Sequence, residues 1–310
     1  MPRRALRILL ILLLLPPILA AAMGWMAAPS FLHPVRRPLT PDLIREADAS
    51  FAHTRAHRED FPVAAPDGAE LHGWKVRPRS PNDSWVLLFH GVADNRVGAI
   101  GQSEILLRAG YSLVMMDQRA HGESGGAMAT YGWLERNDTR AVVDALVASE
   151  HPAHIFALGE SMGAGIALQS AGADPRIEAV VAEAPFASLR EASYDYAGLQ
   201  EYPLLGKTIF APGAWMMLYR GGKLAGLPAA DVSPEQSAAA RNFPVFLICD
   251  AADTTLPCRH ANKIYAAASG PKSLWRVPGA FHTAALGFAP EEFERRVLEF
   301  LRQAEMLPRH

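Results

Sequence analysis

The chain has 310 residues, half of them apolar and a fifth charged, with a formal net charge of −2. This is the composition of an ordinary globular protein, long enough for one large α/β domain or two small ones. The near-balanced charge excludes the basic excess of a nucleic-acid binder, and the glycines and prolines are scattered rather than gathered into low-complexity tracts or repeats.

Arg3, Arg4 and Arg7 precede Ile8 to Ala28, a run without a charge, and the first acid is Asp42. As a helix this run spans about 30 Å, the thickness of a bilayer core. Arginines on its N-terminal side stay in the cytoplasm, so the remainder is expected to be exported. Pro16-Pro17 divides the run: Ile8 to Leu15 has the length of a signal-peptide core, and Ala20-Ala21-Ala22 offers a small-residue cleavage site. Retained anchor (residues 1–28) and cleaved signal both fit. The apolar stretch continuing from Ile18 to Ala28 favours the anchor, hence a membrane-anchored extracytoplasmic domain, or a secreted one after cleavage.

Residues 29–60 read as a linker with a short amphipathic helix near Asp42 to Ala52. Phe61 to Val76 reads as a β-hairpin turning at Pro66-Asp67-Gly68. Trp85–Phe89 and Tyr111–Met116 are apolar strands, with helical spacing over Gly98 to Ala109 between them. Glu135–Ala148 is a helix with Ala141, Val142, Ala145 and Leu146 on one face. His154–Leu158 is a strand, Ala164–Ala171 a small-residue helix, and Ile177–Ala182 a strand. From Ser188 to Arg241 the alternation breaks down into a stretch rich in aromatics and methionines, among them Tyr194, Tyr196, Tyr202, Phe210, Trp215, Met216, Met217 and Tyr219. Strand Val245–Cys249, helix Pro257–Ala268, strand Ser273–Val277 and helix Glu291–Glu305 follow. Apolar strands alternating with helices make a mostly parallel sheet covered on both faces, with every strand-to-helix loop on one edge.

The two cysteines, Cys249 and Cys258, could pair in an exported protein. Two free buried thiols are the simpler reading, and their spacing gives no zinc site.

Gly159-Glu160-Ser161-Met162-Gly163 lies between a strand and a helix, the context of a nucleophile elbow. Glycines two positions either side of Ser161 permit a turn tight enough to project its hydroxyl at the helix N-terminus. A serine hydroxyl needs a base, and the base an orienting acid. Of the eleven histidines, His282 lies in the loop after the last strand, on the edge where chemistry is expected, and is assigned as base; a structural surface histidine is the plain alternative. Asp253 follows strand Val245–Cys249 and is the favoured acid; Asp250 and Glu183 are the alternatives. A tetrahedral intermediate needs two amide donors. Met162 supplies one at the helix start, and Val92, after Gly91, the other, with His90 bracing the loop.

These residues resemble the α/β-hydrolase superfamily over about residues 61 to 306, most like its serine-aminopeptidase or monoacylglycerol-lipase-like branch, which includes membrane-anchored bacterial members. The resemblance rests on Pro66-Asp67-Gly68 with Leu71-His72-Gly73-Trp74, Phe89-His90-Gly91, Asp117 to Ser124, the elbow, Asp253 with Pro257, and Gly279-Ala280-Phe281-His282. It implies an α/β-hydrolase domain over 61–310 with a lid insertion at 188–241, whose aromatics would line an acyl or aryl pocket if they face inward. It also implies that Asp117 to Ser124 is a structural loop. Ala120 and Asp250 depart from the family, which favours glycine at both. The expected activity is hydrolysis of a small-molecule carboxylic ester, with thioester or amide as relatives and a peptide less favoured, without metal or organic cofactor. The rival is an inactive membrane-tethered scaffold on a hydrolase fold, against which the intact Ser161, Asp253 and His282 speak.

Overall fold

A computed structural model describes residues 3–196, 203–229 and 231–308. Helix α1 (Arg3–Leu32) is followed by α2 (Pro41–His53), capped by Thr40, whose hydroxyl accepts the Leu43 amide. The strands are β1 (His57–Asp60), β2 (Val63–Ala64), β3 (Glu70–Leu71), β4 (Gly73–Arg77), β5 (Ser84–Phe89), β6 (Ser112–Met116), β7 (His154–Glu160), β8 (Ala179–Glu183), β9 (Val245–Asp250) and β10 (Lys272–Val277). The helices among and after them are α3 (Ile100–Arg108), α4 (Glu135–Glu150), α5 (Met162–Ala173), α6 (Leu189–Tyr196), α7 (Pro203–Leu205), α8 (Ala211–Ala225), α9 (Pro234–Ala240), α10 (Arg259–Ala267), α11 (Ala285–Phe288) and α12 (Pro290–Glu305).

One sheet runs β1-β4-β6-β5-β7-β8-β9-β10. β4 is antiparallel to both its neighbours, and the six strands from β6 to β10 are parallel. Every residue of β5, β6, β8 and β9 is buried, as strands covered on both faces must be. One face packs Val142, Leu146, Ile166 and Leu168 from α4 and α5. The other packs Leu106, Val297 and Leu301 from α3 and α12.

Three expectations shift. The sheet begins at His57 inside the expected linker, because β1 pairs with β4 as an edge strand. The expected hairpin over 61–76 is confined to β2 and β3, while β4 leaves it to join the main sheet. Pro16 and Pro17 do not divide α1, which runs on through both to Leu32.

The cysteines correct a further expectation. Cys249 at the end of β9 and Cys258 at the start of α10 are bridged, not free, because the connecting turn brings their Cα atoms to 5.3 Å. The bridge closes the loop that carries Asp253.

The described residues of 188–241 include helices α6 to α9. The last of these belongs to the body, since Ala238 is buried in the same core cluster as Ala167 and Ala171 of α5. Tyr202 and the side chain of Tyr196 lie outside the described residues.

Candidate active site

Ser161 sits between β7 and α5 with φ 55° and ψ −119°, a conformation that L-residues adopt only when the surroundings impose it. The surroundings here are two close approaches. A Cβ on Gly159 would overlap the Gly163 carbonyl, and a Cβ on Gly163 would overlap the Phe89 carbonyl. The Ser161 amide donates to the Glu183 carbonyl at 2.9 Å, which ties the turn to β8. Ala93, Ala184 and Thr283 also hold positive φ, so strain gathers along this edge of the sheet.

The hydroxyl of Ser161 lies 2.8 Å from Nε2 of His282, and Nδ1 of the same ring lies 2.6 Å from Oδ2 of Asp253. The other carboxylate oxygen of Asp253 accepts the amides of Thr255 at 2.7 Å and Leu256 at 2.9 Å. Burial alone would raise the pKa of Asp253. The hydrogen bonds from His282 and the two amides outweigh burial and hold it below the usual carboxylate value. An ionised Asp253 accepts the Nδ1 proton of His282 and leaves Nε2 free to accept from the serine. Ser161 is 5% exposed.

His90 orients the facing loop. Its Nε2 is 3.0 Å from the Gln118 amide, which can only donate, so Nε2 accepts and the ring proton is on Nδ1. That proton is donated to the Gly91 carbonyl at 2.7 Å. Burial first, and the neighbouring His121 second, push the pKa of His90 down to about 4, so the neutral tautomer persists across the physiological range. In a trans peptide the N–H points opposite the carbonyl. Fixing the Gly91 carbonyl therefore turns the Val92 N–H away from His90. Val92 and Met162 border the same cavity as Ser161, and Met162 opens α5, where first-turn amides lack helical partners.

A family model described as serine aminopeptidase, S33, matches residues 80–215. YqkD of Bacillus subtilis, itself an uncharacterized protein, is 29% identical over 245 residues, covering 78% of each chain. The uncharacterized YfhR of Escherichia coli is 27% identical over 238 residues, covering 73% of this chain and 74% of its own. The Pyrococcus furiosus esterase Pf2001 superposes with a TM-score of 0.68 at 25% identity, covering 88% of this chain and 99% of that one. The chain is a member of the α/β-hydrolase superfamily.

In this hydrolase the segment Asp117 to Ser124 is a hub of internal bonds. Asp117 accepts the amides of Arg96 at 2.7 Å and Glu123 at 2.8 Å, and Ser124 donates to the Asp117 carbonyl at 2.6 Å. Ala120 holds φ 60°, the left-handed conformation that suits the glycine the resemblance implies there.

The two alternative acids have other partners. Asp250 accepts the Thr283 amide at 2.9 Å, and Glu183 accepts the Ala285 amide at 2.9 Å. Each keeps one buried oxygen without a partner. Burial raises the pKa of Asp250 to about 6 and that of Glu183 well above its ordinary value, each also pushed by neighbouring acids. Glu160, in register with Glu183 across β7 and β8, is raised to about 7, again by burial first. This carboxyl layer under the elbow escapes sequence reasoning as a layer; its one signal is the acid at 250, where the family resemblance implies glycine.

The cavity beside Ser161 holds about 370 Å³. Among the described residues, Met217 is its one wall residue from the aromatics and methionines singled out in the insertion. Trp215 and Tyr219 are 55% and 50% exposed and stack on each other instead, so these two do not meet the condition of facing inward. Their place is taken by Ala27, Ser30 and Phe31 of α1 and by Tyr131, none of which sequence reasoning picked out. Another cavity, of about 420 Å³, is lined by Val147, Pro152, Arg176 and Arg241 at the opposite edge of the sheet, away from these groups.

Proposed function

We propose that this hydrolase is a serine esterase that cleaves a small carboxylic ester through an acyl-enzyme. The observation that carries this reading is the unbroken hydrogen-bond line Asp253–His282–Ser161, ending in a strained serine beside an apolar cavity. Ser161 Oγ attacks the ester carbonyl while His282 Nε2 takes its proton. The amides of Val92 and Met162 hold the oxyanion, and Asp253 holds the imidazolium. His282 then gives the proton to the departing alcohol. Water, deprotonated by the same nitrogen, releases the acid and restores Ser161. Every proton is accounted for by this chain's own residues and water.

An ester suits the cavity better than a peptide. Its described wall residues carry no charged side chain that would receive a peptide terminus, and Ser30, Tyr131 and Ser193 are the polar members beside Ser161. The esterase name of the Pyrococcus furiosus neighbour points the same way. The helix α1, with a mean hydropathy of 2.4 over its most apolar 18 residues, would anchor the domain in a membrane.

The test is labelling of the purified full chain with an ethyl fluorophosphonate, compared with hydrolysis of p-nitrophenyl butyrate. We expect stoichiometric modification of Ser161 and loss of both labelling and turnover in Ser161→Ala. Undiminished hydrolysis in that variant, or an adduct on another residue, would overturn the assignment. A wild-type chain that neither labels nor turns over would instead favour a binding scaffold.

A further inference from the structure

The C-terminal end of α1 is built into the body of the molecule. Leu32 is buried, and its carbonyl accepts the Ala129 amide at 2.9 Å. Phe31 stacks on Tyr131 with ring centroids 4.7 Å apart, and the Tyr131 hydroxyl donates to the Phe31 carbonyl at 2.7 Å. Further back, Ala28, Gly24 and Ala20 present small residues at four-residue spacing. A Cβ on Gly24 would overlap the Gly213 carbonyl of α8. Such backbone-to-backbone approach is how helices pack where lipid surrounds them. Arg220 of α8 fastens the pair, donating to the Trp25 carbonyl at 2.5 Å and covering the Trp25 ring at 4.8 Å.

The outer surface of this helix pair is apolar and uncovered: Leu12, Leu19 and Met26 of α1, with Trp215 of α8 and the preceding Phe210, are all exposed. Soluble monomers rarely expose a contiguous apolar face of this kind. The distances along α1 are informative. A bilayer core of about 30 Å takes roughly 20 helical residues at 1.5 Å each. Counted from Ile8, just past the three arginines, that span ends at Ala27, the first residue of α1 in the cavity wall.

We propose that α1 is at once the membrane anchor and a wall of the substrate pocket, so that the cavity at Ser161 opens against the bilayer surface. The substrate is then an amphiphilic ester with a long alkyl chain, drawn from the leaflet next to the domain. Its chain lies against Ala27, Phe31 and Met217. The inference rests on the reading of Ser161 as the nucleophile. The anchor is thereby part of the specificity, and Trp215 and Tyr219, which do not line the cavity, flank the end of the span, a usual place for Trp and Tyr.

The experiment uses the full chain reconstituted in phosphatidylcholine–phosphatidylglycerol vesicles and two reagents, ethyl and dodecyl fluorophosphonate. In each reaction an Oγ–P bond forms, the P–F bond breaks, fluoride leaves and His282 takes the hydroxyl proton. The dodecyl reagent, loaded into the same vesicles, should label Ser161 at least tenfold faster than the ethyl reagent, and faster than when it is supplied in separate vesicles. Ala27→Trp should lower the dodecyl-to-ethyl ratio at least tenfold. If that variant loses both labels through misfolding, the smaller Ala27→Leu is read instead, with a fall of at least threefold expected.

A ratio unchanged by either substitution would remove α1 from the pocket. Equal rates from same and separate vesicles would show that the bilayer does not feed the site. Complete release of the chain from native membranes by carbonate, as a dimer, would assign the apolar face to a second copy. Failure of the ethyl reagent to label the wild-type chain would instead sink the nucleophile assignment, so the two failures are distinguishable.

Discussion

The carboxyl of Asp250 accepts the amide of Thr283 at 2.9 Å, one residue beyond His282. Glu183 accepts the amide of Ala285 two residues later, also at 2.9 Å. The loop that carries the imidazole is therefore held from beneath by two buried acids, while Asp253 holds the ring itself. Both acids sit above their ordinary pKa, Asp250 at about 6, because burial disfavours their charged forms.

This layer gives a pH dependence of known sign. An acid whose folded pKa is raised leaves stability intact below its unfolded value and withdraws it as pH rises through the folded one. For Asp250 the window is pH 4 to 7. Asp250→Asn keeps an acceptor for the Thr283 amide and abolishes the titration. Its unfolding free energy in urea should match wild type at pH 4 and exceed it at pH 8, by about 3 kcal/mol at most from a shift of roughly two units. A difference independent of pH would contradict the argument.

Asp253→Asn tests the acid that touches the ring. An amide in place of the carboxylate can present its N–H to His282 and stabilise the wrong tautomer. The kcat for p-nitrophenyl butyrate should fall by about 10⁴-fold, with KM changed less than threefold. A loss under tenfold would show that another group orients His282, and Asp250 would be the first to examine.

The contrast between these two aspartates shows what the sequence could carry. Strand-to-helix loops fall on one edge by the handedness of the crossovers, so Ser161, His282 and an acid after β9 could be placed together from order alone. Whether Asp250 or Asp253 meets His282 depends on how the chain turns after β9, which no periodicity encodes. The helix α1 was legible as an apolar span because hydropathy is a local property. Its second role at the pocket depends on where Ala27 and Phe31 dock, a tertiary fact. Trp215 and Tyr219 could not be placed for a related reason: aromatic content says that apolar surface exists, not which way it faces.

His90 supports the proposed oxyanion site without touching substrate. His90→Phe preserves ring volume but releases the Gly91 carbonyl and leaves the Gln118 amide unpaired. Release lets the Val92 N–H swing out of line. We expect kcat to fall by about 10²-fold, the low end of the loss of one oxyanion donor, with KM little changed. Stability should drop by about 1–3 kcal/mol for the unpaired buried amide. A Tm decrease with full kcat would mean that His90 is structural and that Val92 is not a donor.

Reduction of the Cys249–Cys258 bridge bears on the same machinery from the other side. The bridge closes a short loop, with nine positions separating the cysteines, and Asp253 lies inside it. Closing a loop of this size removes conformational entropy from the unfolded chain worth about 2–3 kcal/mol. Dithiothreitol, or replacement of both cysteines by serine, should lower the unfolding free energy by about that amount. Asp253 is also held by the amides of Thr255 and Leu256 and by His282, so the folded loop should keep its shape. The kcat should therefore fall by less than about tenfold, far less than in Asp253→Asn. A reduced enzyme as impaired as that variant would show that the bridge, not the local hydrogen bonds, sets the position of the acid.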